Sequence, residues 1–158
     1  MKALLLLASL VTVIPAANLK GKVVGVKDGN SIEILSEGKV IGIKLFGIDC
    51  PERDNTSGKI ARHFVAEQAF MNEVQVEITG TESNGNFIGK VFTADGKNLS
   101  SELLKHGLAW WDSQSSPDEE ALARLEKQAR EAFKGIWGAT ADDEDGIDYA
   151  KDVLAKRD

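Results

Sequence analysis

The chain has 158 residues, 42% hydrophobic and 28% charged, a composition that fits one soluble folded unit with a proper core. A formal charge of −6 argues against a general nucleic-acid binder, because such binding draws most of its affinity from phosphate contacts and needs positive charge gathered locally. The one cysteine, Cys50, excludes an intrachain disulfide and a zinc site built on thiolates, and reads most simply as a small buried apolar residue.

The amino terminus begins with Met1-Lys2, continues through the apolar run Ala3 to Ile14 and ends in Pro15-Ala16-Ala17, the layout of a secretory signal peptide over residues 1–17. The run is short for a membrane span and the polar stretch Asn18 to Lys22 follows it, which disfavours the alternative of an uncleaved anchor. The expectation is an exported protein, periplasmic or secreted, with no membrane attachment after cleavage. Loss of Lys2 would take the formal charge from −6 to −7.

Leu19 to Val26 suits a strand, Asp28-Gly29-Asn30 supplies turn chemistry, and Ser31 to Leu35 returns. After Ser36-Glu37-Gly38, a third strand runs from Lys39 to Leu45. Lys59 to Glu73 predicts a helix whose core stripe includes Ile60, Ala61, Phe64, Val65 and Ala69. Val74 to Thr81 and Phe87 to Phe92 form a second hairpin across Ser83-Asn84-Gly85-Asn86. A short helix, Leu99 to His106, closes on Gly107, and His106 in its last turn reads as a dipole-favoured cation. His63, alone in a helix, reads as equally bland. Pro117 to Lys134 predicts a longer helix with Leu122, Leu125, Ala129 and Phe133 inward, packing on the rest near Trp110 and Trp111. Those two tryptophans are adjacent on a strand and point opposite ways, so at least one belongs to the core. Five short strands with a helix between the third and fourth predict an α+β, mainly β fold, an OB-type five-stranded barrel with about three helices.

The third strand carries the most informative residues. Ile41, Ile43 and Leu45 alternate with Gly42, Lys44 and Phe46, which aims Lys44 away from the core. Pro51 fixes its own φ and pushes Cys50 toward extended geometry, predicting a rigid non-helical loop that holds Asp49 and Glu52. One cation beside two carboxylates could be a ligand site. It could equally be structural, with Asp49 capping the loop backbone and Glu52 pairing with Lys44.

Three segments in consistent order, Asp28-Gly29-Asn30-Ser31, then Leu45-x-Gly47-Ile48-Asp49-x-Pro51-Glu52, then Gly107-Leu108-Ala109-Trp110-Trp111, resemble the thermonuclease (staphylococcal-nuclease-like) domain from about Leu19 to Trp137. The resemblance implies calcium-dependent hydrolysis of nucleic-acid phosphodiesters. Its metal ligands fall on Asn30, Asp49 and the carbonyl of Cys50, its general base on Glu52, and its two phosphate-clamping arginines on Lys44 and Asn86. Three positions depart from the family pattern. Asn30 lacks the charge of an aspartate, Lys44 lacks the planar fork of an arginine, and Asn86 has no charge at all. Asp112-Ser113-Gln114-Ser115 also stands where family members often carry tyrosines and arginines. The departures imply weak calcium binding and a degenerate active site, unless Lys27, Lys90 or Arg53 brings a replacement cation. The alternative is a non-catalytic OB-fold module that binds a ligand or a partner, with nucleic acid disfavoured by the acidic charge.

The domain implied covers 18–138. Residues 139–158 form an acidic tail whose Asp142-Asp143-Glu144-Asp145-Gly146 run fits a calcium-loop template poorly and reads as solvated. By count, Asn18 to Asp112 holds eleven basic against thirteen acidic residues, and Ser113 to Asp158 holds seven against twelve. Nothing in the sequence fixes the oligomeric state.

Overall fold

The structure is a computed structural model that describes residues 18–138. The expected signal peptide and acidic tail therefore lie outside the described residues. Within them the chain forms β1 (Asn18–Val26), β2 (Ser31–Ser36), β3 (Lys39–Leu45), β4 (Ile48–Asp49), α1 (Thr56–Ala69), β5 (Glu73–Thr81), β6 (Phe87–Thr93), α2 (Leu99–Lys105), β7 (Trp110–Trp111) and α3 (Glu120–Glu131), then a 3-10 turn at Gly135–Trp137.

The five long strands close into a barrel in the order β1-β2-β3-β6-β5, so the expected mainly-β barrel with three helices is present. The meander β1-β2-β3 and the hairpin β5-β6 are antiparallel, and two further ladders close the ring. β3 runs parallel to β6, with Lys44 opposite Ile88, and β5 pairs with β1, with Asn18 opposite Glu77. Alternation then does its usual work. Val23, Ile32, Ile34, Ile43, Leu45, Val74, Val76 and Val91 are buried, joined by Ala61, Phe64, Val65 and Ala69 of α1 and by Leu99, Leu103 and Leu104 of α2. Each large aliphatic side chain taken fully out of water contributes about 1.5–3 kcal/mol, so this one cluster is the main source of stability.

Two helices differ in their bounds from the sequence expectation. The first helix starts at Thr56, three residues early, because the Asn55 side chain accepts a hydrogen bond from the Gly58 amide at 2.7 Å, a cap worth about 1 kcal/mol. It stops at Ala69 because Met71 turns to φ +63 and donates its amide to the Val23 carbonyl at 2.8 Å, stitching the helix end to β1. The last helix spans only Glu120–Glu131, since Pro117 lies in a turn closed by the Glu119 amide donating to the Ser116 carbonyl at 3.1 Å, and Phe133 at φ +51 ends the run. It packs on β7 as expected, with the Trp111 amide donating to Glu126 Oε1 at 3.2 Å.

A third difference concerns Asp49. It sits in the two-residue strand β4, opposite Trp110 of β7, rather than in a loop. That miniature ladder fixes its position. Trp111 packs against the core and Trp110 stays 37% exposed, the opposite orientations expected of neighbours.

Candidate active site

The turn between β1 and β2 begins with a local hydrogen bond, the Asn30 amide donating to Asp28 Oδ1 at 2.9 Å. Asp28 thus shapes the turn. Asn30 is buried, its carbonyl accepts from the Leu45 amide at 2.7 Å, and this tie lays the turn against the end of β3. The result brings Asn30 and Asp49 together across nineteen residues of sequence, with Asn30 Nδ2 donating to Asp49 Oδ1 at 3.1 Å. Ser31 Oγ donates to Asn30 Oδ1 at 3.5 Å, and the Cys50 amide donates to the same Asp49 oxygen at 3.0 Å. Asp49 therefore does cap the local backbone.

Three of the residues implied as metal ligands, Asn30, Asp49 and Cys50, are thus adjacent. As folded, however, they do not fit calcium. The ion takes six to eight oxygens, and here Asn30 points N–H groups at the one carboxylate it would have to share a metal with. Among the described residues no group of three or more His, Cys, Asp or Glu side chains could hold a metal ion. A cation would require the Asn30 carboxamide to turn over and give up its bond to Asp49.

Cys50 is half-buried, and its Sγ faces Gly29 so closely that a Cβ there would lie 2.9 Å from it. Burial first, then the Asp28 and Asp49 carboxylates, push the thiol well above its ordinary range. That environment favours the protonated thiol, the less reactive form. Pro51 is buried, and Glu52 beyond it is exposed with no side-chain hydrogen bond or ion pair within the described residues. Its carbonyl accepts from the Asn55 amide at 3.1 Å and leaves no room for a Cβ at Gly58, so the backbone is fixed while the carboxylate is free.

Lys44 stands on the outer face of β3, and its partner is not Glu52. Its Nζ lies 3.8 Å from Glu82 Oε1, while Asn86 Nδ2 donates to Glu82 Oε2 at 3.1 Å. Glu82 thus joins the two positions that the resemblance assigns to a phosphate clamp. The hairpin holds it there: the Glu82 amide donates to the Asn86 carbonyl at 2.8 Å, and the Gly85 amide donates to the Glu82 carbonyl at 3.0 Å. Asn86 lies flat on β3, where a Cβ at Gly42 would come within 2.2 Å of its Oδ1.

A second carboxylate feels the charge of Lys44 without pairing with it. Asp112 is held below the usual carboxylate range mainly by the Ser115 hydroxyl, then by the amides of Ser115 and Gln114, with Lys44 adding its charge. Each of the three replacement cations already has a carboxylate neighbour of its own. Lys27 pairs with Glu33 at 2.9 Å, Arg53 lies 3.8 Å from Asp54, and Lys90 binds Glu119 at 2.5 Å while lying over the Phe46 ring. On the outer face of β3 and β6, Lys44 is paired with Glu82 and Lys90 with Glu119, which leaves no surplus of positive charge.

Sequence reasoning missed Glu82. It sits in a polar hairpin with no periodic pattern, and only its place four residues before Asn86 across a tight turn hinted at the contact.

The family profile described as "Staphylococcal nuclease homologue" matches residues 42–139. The chain is similar to an uncharacterized endonuclease of Escherichia coli O157:H7, 30% identical over 121 residues that cover 77% of this chain and 78% of that one. It is also similar to a micrococcal nuclease of Shigella flexneri, 29% identical over 138 residues covering 81% and 79%. A probable staphylococcal-like nuclease of Oryza sativa subsp. japonica is 32% identical over 98 residues, 62% of this chain and 29% of that longer protein.

Proposed function

The chain belongs to the staphylococcal nuclease homologue family, and from that premise we propose that it is an exported nuclease-like protein whose active site is degenerate, leaving hydrolysis of nucleic-acid phosphodiesters weak or lost. The observation that carries this reading is the sharing of Glu82 by Lys44 and Asn86. A phosphodiester substrate is anionic throughout, and its transition state is stabilised by cations aimed at the phosphoryl oxygens. Here one such position has lost its charge and the other faces a carboxylate of its own chain.

What remains supports slow chemistry. Glu52, exposed and unpaired among the described residues, is the group that would align and deprotonate water, and Lys44 is the cation that would meet the phosphate. In the family, calcium supplies charge neutralisation at the phosphoryl group. The donors of this chain would be Asp49, the Cys50 carbonyl and a turned-over Asn30, so any calcium binding is weak and the family's calcium dependence is correspondingly reduced here. Export rests on the Met1 to Ala17 segment alone.

The lack of surplus positive charge on the outer face favours a second reading, a non-catalytic OB-fold module that uses the same face for a ligand or partner. One assay separates the two. The full chain is incubated with single-stranded DNA with and without millimolar Ca²⁺, beside Glu52→Ala and the triple variant Asn30→Asp, Lys44→Arg, Asn86→Arg. The nuclease reading expects slow cleavage that Glu52→Ala removes and the triple raises by orders of magnitude. No wild-type cleavage with activity restored in the triple marks a nuclease site whose activity is lost, no cleavage by either supports the second reading, and rapid wild-type cleavage that the triple fails to improve overturns the degenerate site.

A further inference from the structure

We propose that Glu82 is the internal anion of this site: its carboxylate occupies Lys44 and Asn86, so an incoming phosphate must displace it, and the affinity of the face for single-stranded nucleic acid is set by that competition. The inference rests on the reading of Lys44 and Asn86 as the phosphate-facing positions. Glu82 would touch neither substrate nor reacting atoms, acting through Lys44 as a specificity-determining residue.

Geometry carries the argument. Both carboxylate oxygens are engaged, Oε1 facing Lys44 Nζ at 3.8 Å and Oε2 accepting from Asn86 Nδ2 at 3.1 Å and Asn84 Nδ2 at 3.3 Å. The backbone of Glu82 is pinned on both its N–H and its carbonyl by the turn it opens. The carboxylate is therefore presented to the cation by a preformed hairpin, not by a wandering side chain. Lys44 at 39% and Glu82 at 25% side-chain exposure remain open enough for solvent ions to compete, so the pair is a weak, displaceable one. A dianionic or polyanionic ligand has to break it to reach the lysine.

The test measures binding without turnover. A fluorescein-labelled single-stranded oligothymidylate is titrated with the full chain in EDTA at several salt concentrations. Wild type, Glu82→Gln, Glu82→Ala, Lys44→Met, the double variant Glu82→Gln with Lys44→Met, and Glu37→Gln, a charge-matched control in the turn between β2 and β3, are compared. Glu82→Gln is expected to bind about five- to tenfold more tightly than Glu37→Gln, and its log affinity should fall more steeply with log salt, by about 0.7 in slope, the signature of one added phosphate contact to a single strand. Glu82→Ala, which leaves no carbonyl to hold Lys44, gives the same sign. Lys44→Met lowers the affinity of the otherwise wild-type chain and erases the gain in the double variant, because the cation that Glu82 competes for is gone.

A Glu82→Gln or Glu82→Ala affinity equal to the Glu37→Gln control overturns the proposal, as does a gain that survives Lys44→Met. Rapid DNA cleavage by the wild type would instead sink the degenerate-site reading and leave the binding result standing, so the two failures are distinguishable.

Discussion

The Nδ2 of Asn30 donates to Oδ1 of Asp49 across 3.1 Å, an amide proton standing between two side chains that a shared divalent ion would otherwise join. The neutral carboxamide completes the junction between the first turn and β4 with no external charge. Asn30→Asp places a second carboxylate there, and repulsion replaces the hydrogen bond. We expect the wild-type melting temperature to be the same in 5 mM Ca²⁺ and in EDTA to within about a degree. Asn30→Asp should melt several degrees lower in EDTA, roughly the effect of losing a buried hydrogen bond, and recover on adding Ca²⁺. Differential scanning fluorimetry decides, and a wild type stabilised by Ca²⁺ would contradict it.

Asp112 organises the turn from β7 to α3, accepting from the amides of Gln114 and Ser115 at 3.1 and 3.2 Å and from Ser115 Oγ at 2.5 Å. Because its folded-state value is depressed, its contribution to stability is present above the ordinary carboxylate value near 4 and is lost as pH falls through the lower folded value. Asp112→Asn should therefore be less stable than wild type at pH 6, with the gap closing as pH falls below the ordinary carboxylate value. Asp95, lowered to about 2 chiefly by Lys97 and then by Thr93, makes the same prediction for Asp95→Asn in the window between about 4 and 2. Urea denaturation at stepped pH measures both.

Gly107 closes α2 at φ +67, and a Cβ there would meet the Lys134 carbonyl oxygen at 2.2 Å. No flexible side chain can yield at that point, because the neighbour is backbone. The Ile136 amide donates to the Gly107 carbonyl at 2.9 Å, so this is also where the chain after α3 is fastened to the barrel. Gly107→Ala should cost about 2–4 kcal/mol by urea denaturation, against a fraction of that for Gly96→Ala, where φ is +81 but nothing lies within 4 Å.

Cys50 offers a clean probe of the site loop. Its thiol is held protonated by burial and two nearby carboxylates. Ellman's reagent at pH 8 should modify it at least about a hundredfold more slowly in the native protein than in urea. Native reactivity equal to that of the denatured chain would mean the loop does not stay packed on Gly29.

Much of the fold was legible in the sequence because strand alternation and turn residues are local signals. The meander to Leu45, the helix inserted after it and the hairpin at Asn84-Gly85-Asn86 follow from such signals. The parallel pairing of Lys44 with Ile88 does not, since nothing near either residue encodes a partner some forty positions away. The ladder of Ile48 and Asp49 with Trp111 and Trp110 is too short to carry a period. At the site, the neighbours of Asn30 followed from the family resemblance, whereas the partner of Lys44 did not. Register, not composition, brings Glu82 to that lysine.

The pairing of Asn18 with Glu77 shows how β1 divides its edges. Its first half, Asn18 to Lys22, is laddered to β5, and its second half, Lys22 to Val26, to β2. Shortening the chain from Asn18 inward would therefore unzip the β1–β5 seam first and turn a closed ring into an open sheet with two bare edges.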